Sequence, residues 1–401
     1  VSEDRWLEGV RILDLSRILA APFATQLLGD LGAEVIKVER PGDGDDARLY
    51  GPPFADGGSE SGFYLSANRN KRSITIDHSV PAGAELIREL AARSDVLVEN
   101  FRPGVLDKYG LGYSALREVN PRLIYCSVTG FGQDGPYADR AGYDGVFQAM
   151  SGMMSVSGIP DGEPGAGPMK VGISIIDILA GLYASSAILA ALRHRDTISG
   201  LGRHIDLALL DCGVAALSHY AQNYLISGVA APRRGNGGFG GIPSQAFRCA
   251  DADIFLVAST PRQWAGLTKT IGRPELAVDP RFATVSARIA NRDLVLRTLE
   301  DIFRQRPAAE WIAALEAEDV PVSPVNSMPE VFDNPQVRHR GLRRSVHHPT
   351  AGPIDVIANP VCRTAPCTPP PLLGQHTDEI LTEVLHKTPE EITSLREQGA
   401  I

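Results

Sequence analysis

The sequence predicts an α/β protein: a large domain on a parallel sheet, with a smaller α+β domain set into the chain. Three observations predict it. Strand and helix signals alternate through the first half. The strand signals are nearly continuous runs of β-branched and aliphatic residues, as expected of strands buried on both faces. A glycine- and proline-rich composition shift at 228–243, "GVAAPRRGNGGFGGIP", then breaks the pattern and cannot be a regular element.

In order, "VRILDLS" (10–16) is a short apolar strand and "PFATQLLGDLG" (22–32) has helical spacing with a terminal glycine. "AEVIKVE" (33–39) and "SITID" (73–77) are further strands, followed by the helix "PAGAELIRELAARS" (81–94). "DVLVEN" (95–100) and "RLIYCSVTGF" (122–131) continue the alternation. Beyond the glycine-rich stretch, "QAFRC" and "DIFLVAS" read as a hairpin, with amphipathic helices at 262–271, 292–305 and 308–317. The tail carries strand-like "GPIDVIANPVC", a proline linker and a terminal helix "TDEILTEVLHKT". The predicted organisation is therefore 1–200 for the N-terminal part of the large domain, 201–225 as a linker helix, 226–325 as the small domain, and 326–401 as a linker and return to the large domain.

With 39 basic and 48 acidic side chains among 401 residues, the formal charge of −9 argues against nucleic acid as the main partner. The charged opening "VSEDRWLEGV" does not read as a signal peptide. The apolar stretch around 175–192, broken by Asp177 and serines, reads as short of a membrane span, so a cytoplasmic protein with no membrane partner is expected. The five scattered cysteines read as reduced structural thiols, and the nine histidines show no metal spacing. Kinase, zinc-protease and serine-hydrolase signatures are missing from the sequence. "GNGGFG" (235–240) satisfies G-x-G-x-x-G, but "APRR" before it and "IPSQAF" after it supply neither the strand nor the helix of a dinucleotide site. A flap over a ligand and an inter-domain linker both fit that stretch.

In a parallel sheet, ligands gather at the carboxyl ends of the strands. The residues there are Arg17, Arg40, Asn100, Phe101 and Arg102, with Lys71, Arg72 and Lys108 close in sequence. Singly each reads as a solvated charge; together, guanidinium and ammonium groups at strand ends suit phosphate oxygens. Within "VGISIIDILAGLY" (171–183), Asp177 is the one charged residue of an apolar run. It reads as a helix N-cap, held ionised by backbone N–H groups and the helix dipole, and equally as a sheltered nucleophile.

Several blocks carry a family resemblance: "GVRILDLSRILAAPFATQLLGDLGAEVIKVERPGDGDDAR", "NRNKRSITID", "SDVLVENFRPGVLDKYGLGY", "NPRLIYCSVTGFGQDGPYADRAGYD" and "IIDILAGLYASSAILAALRHR". In that order they resemble the class III coenzyme A transferases, the family of formyl-CoA:oxalate and carnitine CoA-transferases. Details such as "PPPLLGQHT" are similar to its succinyl-CoA-dependent, glutarate-type dicarboxylate branch. The resemblance implies a Rossmann-like large domain and an interlocked homodimer. It implies coenzyme A or acyl-CoA as substrate, with no tightly bound cofactor and no metal, and a small carboxylic acid as co-substrate. By position it makes Asp177 the catalytic carboxylate, forming an acyl–aspartyl anhydride and then an aspartyl-CoA thioester. It puts coenzyme A against Arg17, Leu19, Ala20, Arg40, Ile76, Asn100, Phe101, Arg102, Lys108, Ala141, Tyr143 and Asp144. Gly237, Gly238, Gly240 and Gly241 become a catalytic flap offering N–H groups to an oxyanion, interrupted here by Phe239. Arg17, Arg233, Arg234 and Gln245 are candidates for an acceptor's distal carboxylate. Two alternatives stand beside this reading. One is a 2-methylacyl-CoA racemase, disfavoured because "GYD" puts Tyr143 where racemases carry a histidine, and the other is a non-catalytic coenzyme A-binding protein.

Overall fold

The computed structural model describes residues 5–55, 60–238 and 240–401; the expected flap residue Phe239 lies outside them. Two compact units emerge. One runs to Met153 and takes in Lys170–Val229 and Pro335–Ile401; the other comprises Met154–Met169 and Ala230–Asn334.

The first unit is built on β1 (Arg11–Asp14), β2 (Glu34–Glu39), β3 (Lys71–Thr75), β4 (Val96–Glu99) and β5 (Ile124–Thr129). Beyond β6 (Gly158–Ile159) and β7 (Gly167–Pro168) of the second unit, β8 (His204–Ala208) completes this sheet. All six strands are parallel, in the order β3-β2-β1-β4-β5-β8. Side chains alternate across it as the strand period requires. Leu13, Leu97 and Tyr125 face the helix Pro81–Ala92 and the penultimate helix Thr377–Glu383. Ile12, Val96, Val98, Ile124 and Cys126 face the helices Ala20–Asp30 and Ile175–His194. Both faces are thus covered, which is why β4 and β5 are largely apolar, while the charged residues of β1, β2 and β3, such as Asp14, Lys37 and Lys71, are buried with partners. The tail is stitched to the sheet edge: His376 N–H donates to Ser73 O at 2.9 Å and Thr75 N–H to Thr377 Oγ1 at 3.1 Å.

In the second unit, β9 (Ser244–Arg248), β10 (Asp253–Val257) and β11 (Val322–Pro324) form an antiparallel sheet. The helices Pro261–Thr270, Arg292–Phe303 and Ala308–Glu316 bury Trp264, Phe303 and Trp311 with Phe247. The hairpin β12 (Arg343–His348) with β13 (Gly352–Ile357) returns to the first unit.

Several expectations need correction. The segment 201–225 is not one linker helix. It holds β8, a parallel sheet strand, and the helices Leu209–Ala216 and His219–Ser227. The first 200 residues are not continuous within the large domain, because Met154–Met169 joins the second unit. There β6 pairs with β7, and Gly235 N–H donates to Gly158 O at 2.9 Å. The second unit extends to Asn334 rather than 325, and its boundary falls where Asn334-Pro335 disfavours helix continuity. By length and composition the helix through Ile175–Ser199 does qualify to cross a membrane, contrary to expectation. Here one face of it lies in the core, where Ile176, Ala180, Ala184 and Ile188 are fully buried. All five cysteines are free thiols, and no metal-binding cluster occurs among the described residues.

Candidate active site

The strand order reverses direction between β1 and β4, since the chain builds outward from β1 through β2 and β3, then from β4 through β5 and β8. At such a switch point the loops after the two strands part and leave a crevice. Arg17 follows β1 and Asn100 follows β4, and the two loops are tied together across it. Arg17 N–H donates to Asn100 Oδ1 at 2.9 Å, and Asn100 Nδ2 donates to Arg17 O at 2.7 Å. A cavity of about 290 Å³ opens there, lined by Arg17, Leu19, Ala20, Asn100, Phe101, Arg102, Ala141, Tyr143 and Asp177. Nine separately read residues therefore meet at one place. The Arg17 guanidinium lies 5.1 Å from the Phe101 ring centroid and pairs with Asp46 at 3.3 Å. A smaller cavity shares Arg17 and Phe101 with the first and adds Arg40, Ile76 and His78. A third concavity shares His78 and adds Lys108. Their overlaps make an extended, cation-lined groove along the strand ends.

Asp177 reaches the cavity because of how its helix packs. The helix Ile175–His194 crosses Ala20–Asp30 at Gly181, where a Cβ would stand 2.8 Å from Ala20 O and from Phe23 Cδ1. Only glycine permits so close an approach. Asp177 is the third residue of its helix, not its cap; Ser174 occupies the cap position without a side-chain hydrogen bond. The capping acceptor comes from another helix, Asp144–Met150. Asp144 Oδ2 accepts the N–H of Ile176 at 2.7 Å and that of Asp177 at 3.3 Å. Among the described residues nothing donates to the Asp177 carboxylate. Burial, and next to it the Asp144 charge, push Asp177 up to about 7. The expectation of a carboxylate held ionised by its own helix is thus reversed: Asp144 takes the N–H groups. Asp144, expected against coenzyme A, is buried and lines none of these three hollows.

The glycine stretch belongs to the second unit. Gly237 N–H donates to Arg234 O and Gly238 N–H to Ser244 O, both at 2.8 Å. Two of the four amides expected to face an oxyanion are therefore already committed. Arg233 pairs with Asp161 and donates to Ile159 O at 3.0 Å, and Gln245 is part of β9.

Other features of the site left no local signal in the sequence. Ile18 sits at φ +73°, a left-handed conformation unusual for a β-branched residue. Its N–H donates to Asp45 Oδ1 at 3.0 Å, which holds the strained loop between Arg17 and Leu19. Asp45 in turn pairs with Lys37 at 2.9 Å, both side chains fully buried, and Lys37 Nζ donates to Ser16 O at 2.9 Å. Burial alone would raise Asp45; Lys37 together with the N–H groups of Ala47 and Ile18 outweighs it and holds the carboxyl below its usual range. Lys71, expected among the exposed cations, is instead buried against Asp14 at 3.0 Å. A lysine inside a strand announces itself only when its partner, here from another strand, is known.

The family model described as CoA-transferase family III matches residues 7–377. The human succinyl-CoA:glutarate CoA-transferase is 45% identical over 399 residues, covering 98% of this chain and 90% of the relative. The succinate–glutarate CoA-transferase of Agrobacterium fabrum is 43% identical over 386 residues, covering 94% and 95%. The crystal structure of a CAIB/BAIF family protein from Brucella suis superposes with a TM-score of 0.85 at 41% identity, covering 95% of this chain and 100% of that one. With a sheet crevice holding a carboxylate and a cationic groove, and with these matches over nearly its whole length, the chain belongs to CoA-transferase family III, an enzyme family.

Proposed function

We propose that this enzyme moves coenzyme A from succinyl-CoA, or a similar donor, to a dicarboxylic acid of the glutarate type, with Asp177 as the covalent carrier. The observation that carries the reading is the Asp177 carboxylate, without a hydrogen-bond donor among the described residues, in the same cavity as Arg17 and Asn100. The names of the two glutarate-transferring relatives support the substrate class.

A carboxylate oxygen of Asp177 attacks the thioester carbonyl; the C–S bond breaks and coenzyme A leaves as thiolate, giving a mixed anhydride. The thiolate then attacks the aspartyl carbonyl, releasing the donor acid as carboxylate and leaving an aspartyl-CoA thioester. The acceptor carboxylate attacks that thioester, expelling thiolate and forming a second anhydride. Thiolate attack on the acceptor carbonyl yields the new acyl-CoA and restores Asp177. No proton is gained or lost overall. Splitting the exchange into such steps is nucleophilic catalysis, and partial desolvation keeps the attacking carboxylate reactive. Exposed apolar side chains, Leu182 and Tyr183 on the helix Ile175–His194 and Leu225 and Ile226 on the helix His219–Ser227, support an interlocked homodimer.

The test is incubation with succinyl-CoA, then with hydroxylamine, and peptide mapping. A hydroxamate at Asp177, with glutaryl-CoA formed when glutarate is added, is expected. A hydroxamate elsewhere overturns the carrier role. Turnover with monocarboxylic acceptors alone overturns the substrate class.

A further inference from the structure

We propose that Gln148 is a positioning residue for Asp177, acting through Asp144 and through the irregular segment 171–173 that leads into the Asp177 helix. The inference rests on the reading of Asp177 as the covalent carrier. Gln148 is completely buried and is not part of the cavity lining, so it does not touch substrate. Its amide is used on both sides. Oε1 accepts the N–H of Val171 at 2.8 Å, while Nε2 donates to Asp144 Oδ1 at 2.5 Å and reaches Ile173 O at 3.3 Å. Asp144 spends its other oxygen on the N–H groups of Ile176 and Asp177.

One side chain therefore fixes 171–173 by its acceptor and the start of the next helix by its donor. Only a carboxamide does both: a glutamate has no donor, and a leucine has neither group. Val171 and Ile173 are exposed, so nothing from packing replaces this grip. The clamp also fixes what lies beside Asp177: with Oδ1 held by Gln148 and Oδ2 by two backbone amides, the Asp144 carboxyl is pinned against the Asp177 backbone. The other charges on the cavity wall are Asp46, Arg17, Arg102 and Arg140, and Lys170 precedes the clamped segment. None of them is a cause of the Asp177 shift; burial comes first and Asp144 second.

Gln148→Leu and Gln148→Glu test this, with Asp177→Asn as control. Loss of position is expected to lower kcat at least about tenfold in both variants. KM for the acyl-CoA should stay within about threefold, since uniform binding is untouched. In Gln148→Glu, where another carboxylate joins the site, the acid limb of the pH profile should also move up by about half a pH unit or more. A merely structural defect would raise KM as kcat falls and leave the limb in place. A kcat within about twofold of wild type, or a loss carried by KM rather than kcat, overturns the proposal. Hydrogen exchange on the unaltered protein is independent of folding of the variants: the Ile176 amide should be protected, and rapid exchange there overturns the clamp. Transfer retained by Asp177→Asn would instead refute the carrier reading, leaving the amide protection to judge the clamp alone.

Discussion

Asp144 and Asp177 face each other across the start of one helix, and the oxygen of the first accepts the backbone N–H of the second at 3.3 Å. The stabilising amides of that helix therefore serve Asp144, while Asp177 bears the burial and the adjacent charge. A carboxylate left in this way binds a proton more tightly and is a stronger nucleophile once ionised.

The pH dependence follows. Asp177 must be ionised to attack, and burial with the Asp144 charge pushes it up to about 7. kcat/KM for the acyl-CoA should fall about tenfold per unit below that pH. Asp144→Asn removes the neighbouring charge, and the limb should move to lower pH. A rate profile flat from pH 5 to 8 in the wild type would contradict the assignment.

Stability should respond in the opposite sense. Asp177 starts at 3.8 when unfolded and rises to about 7 in the fold. Its destabilising contribution is absent below the unfolded value, grows as pH rises between the two values, and is complete above the folded one. Asp177→Asn should therefore abolish transfer yet stabilise the protein by on the order of 2 kcal/mol at pH 8, with little difference at pH 4. Urea unfolding at the two pH values measures it.

The buried pair Lys37–Asp45, 2.9 Å apart, supports the strained Ile18 turn. Lys37→Met leaves Asp45 charged and unpaired, at a cost of about 3 kcal/mol or more. Adding Asp45→Asn should recover part of that loss. Denaturation midpoints of the single and double variants report the coupling.

Gly181→Ala should separate the two helices, because the new Cβ meets Ala20 O and Phe23 at 2.8 Å. A loss of about 1–3 kcal/mol is expected from overpacking. Leu19 and Ala20 line the cavity, so KM for acyl-CoA should rise as well. An unchanged KM would mean the helix shift is absorbed elsewhere.

Much of this was legible from residue order alone. The alternation of apolar runs with helical periods determined the parallel sheet, because strands buried on both faces need aliphatic side chains at nearly every position. Arg17, Asn100 and Phe101 were found by their place after strands, and Asp177 by being a charge in a greasy run. β8 escaped because "HIDLA" is a short edge strand with a partly polar face, and its pairing with β5 is set some 80 residues away. What the tertiary structure decided are relationships whose partners are far apart in the chain: which carboxylate caps the Asp177 helix, which lysines are buried, how Gln148 grips 171–173, and where Met154–Met169 belongs. Periodicity and residue type report a residue's own backbone and burial; they carry no record of a hydrogen-bond partner on another element, and it is those partners that set charge and position in the site.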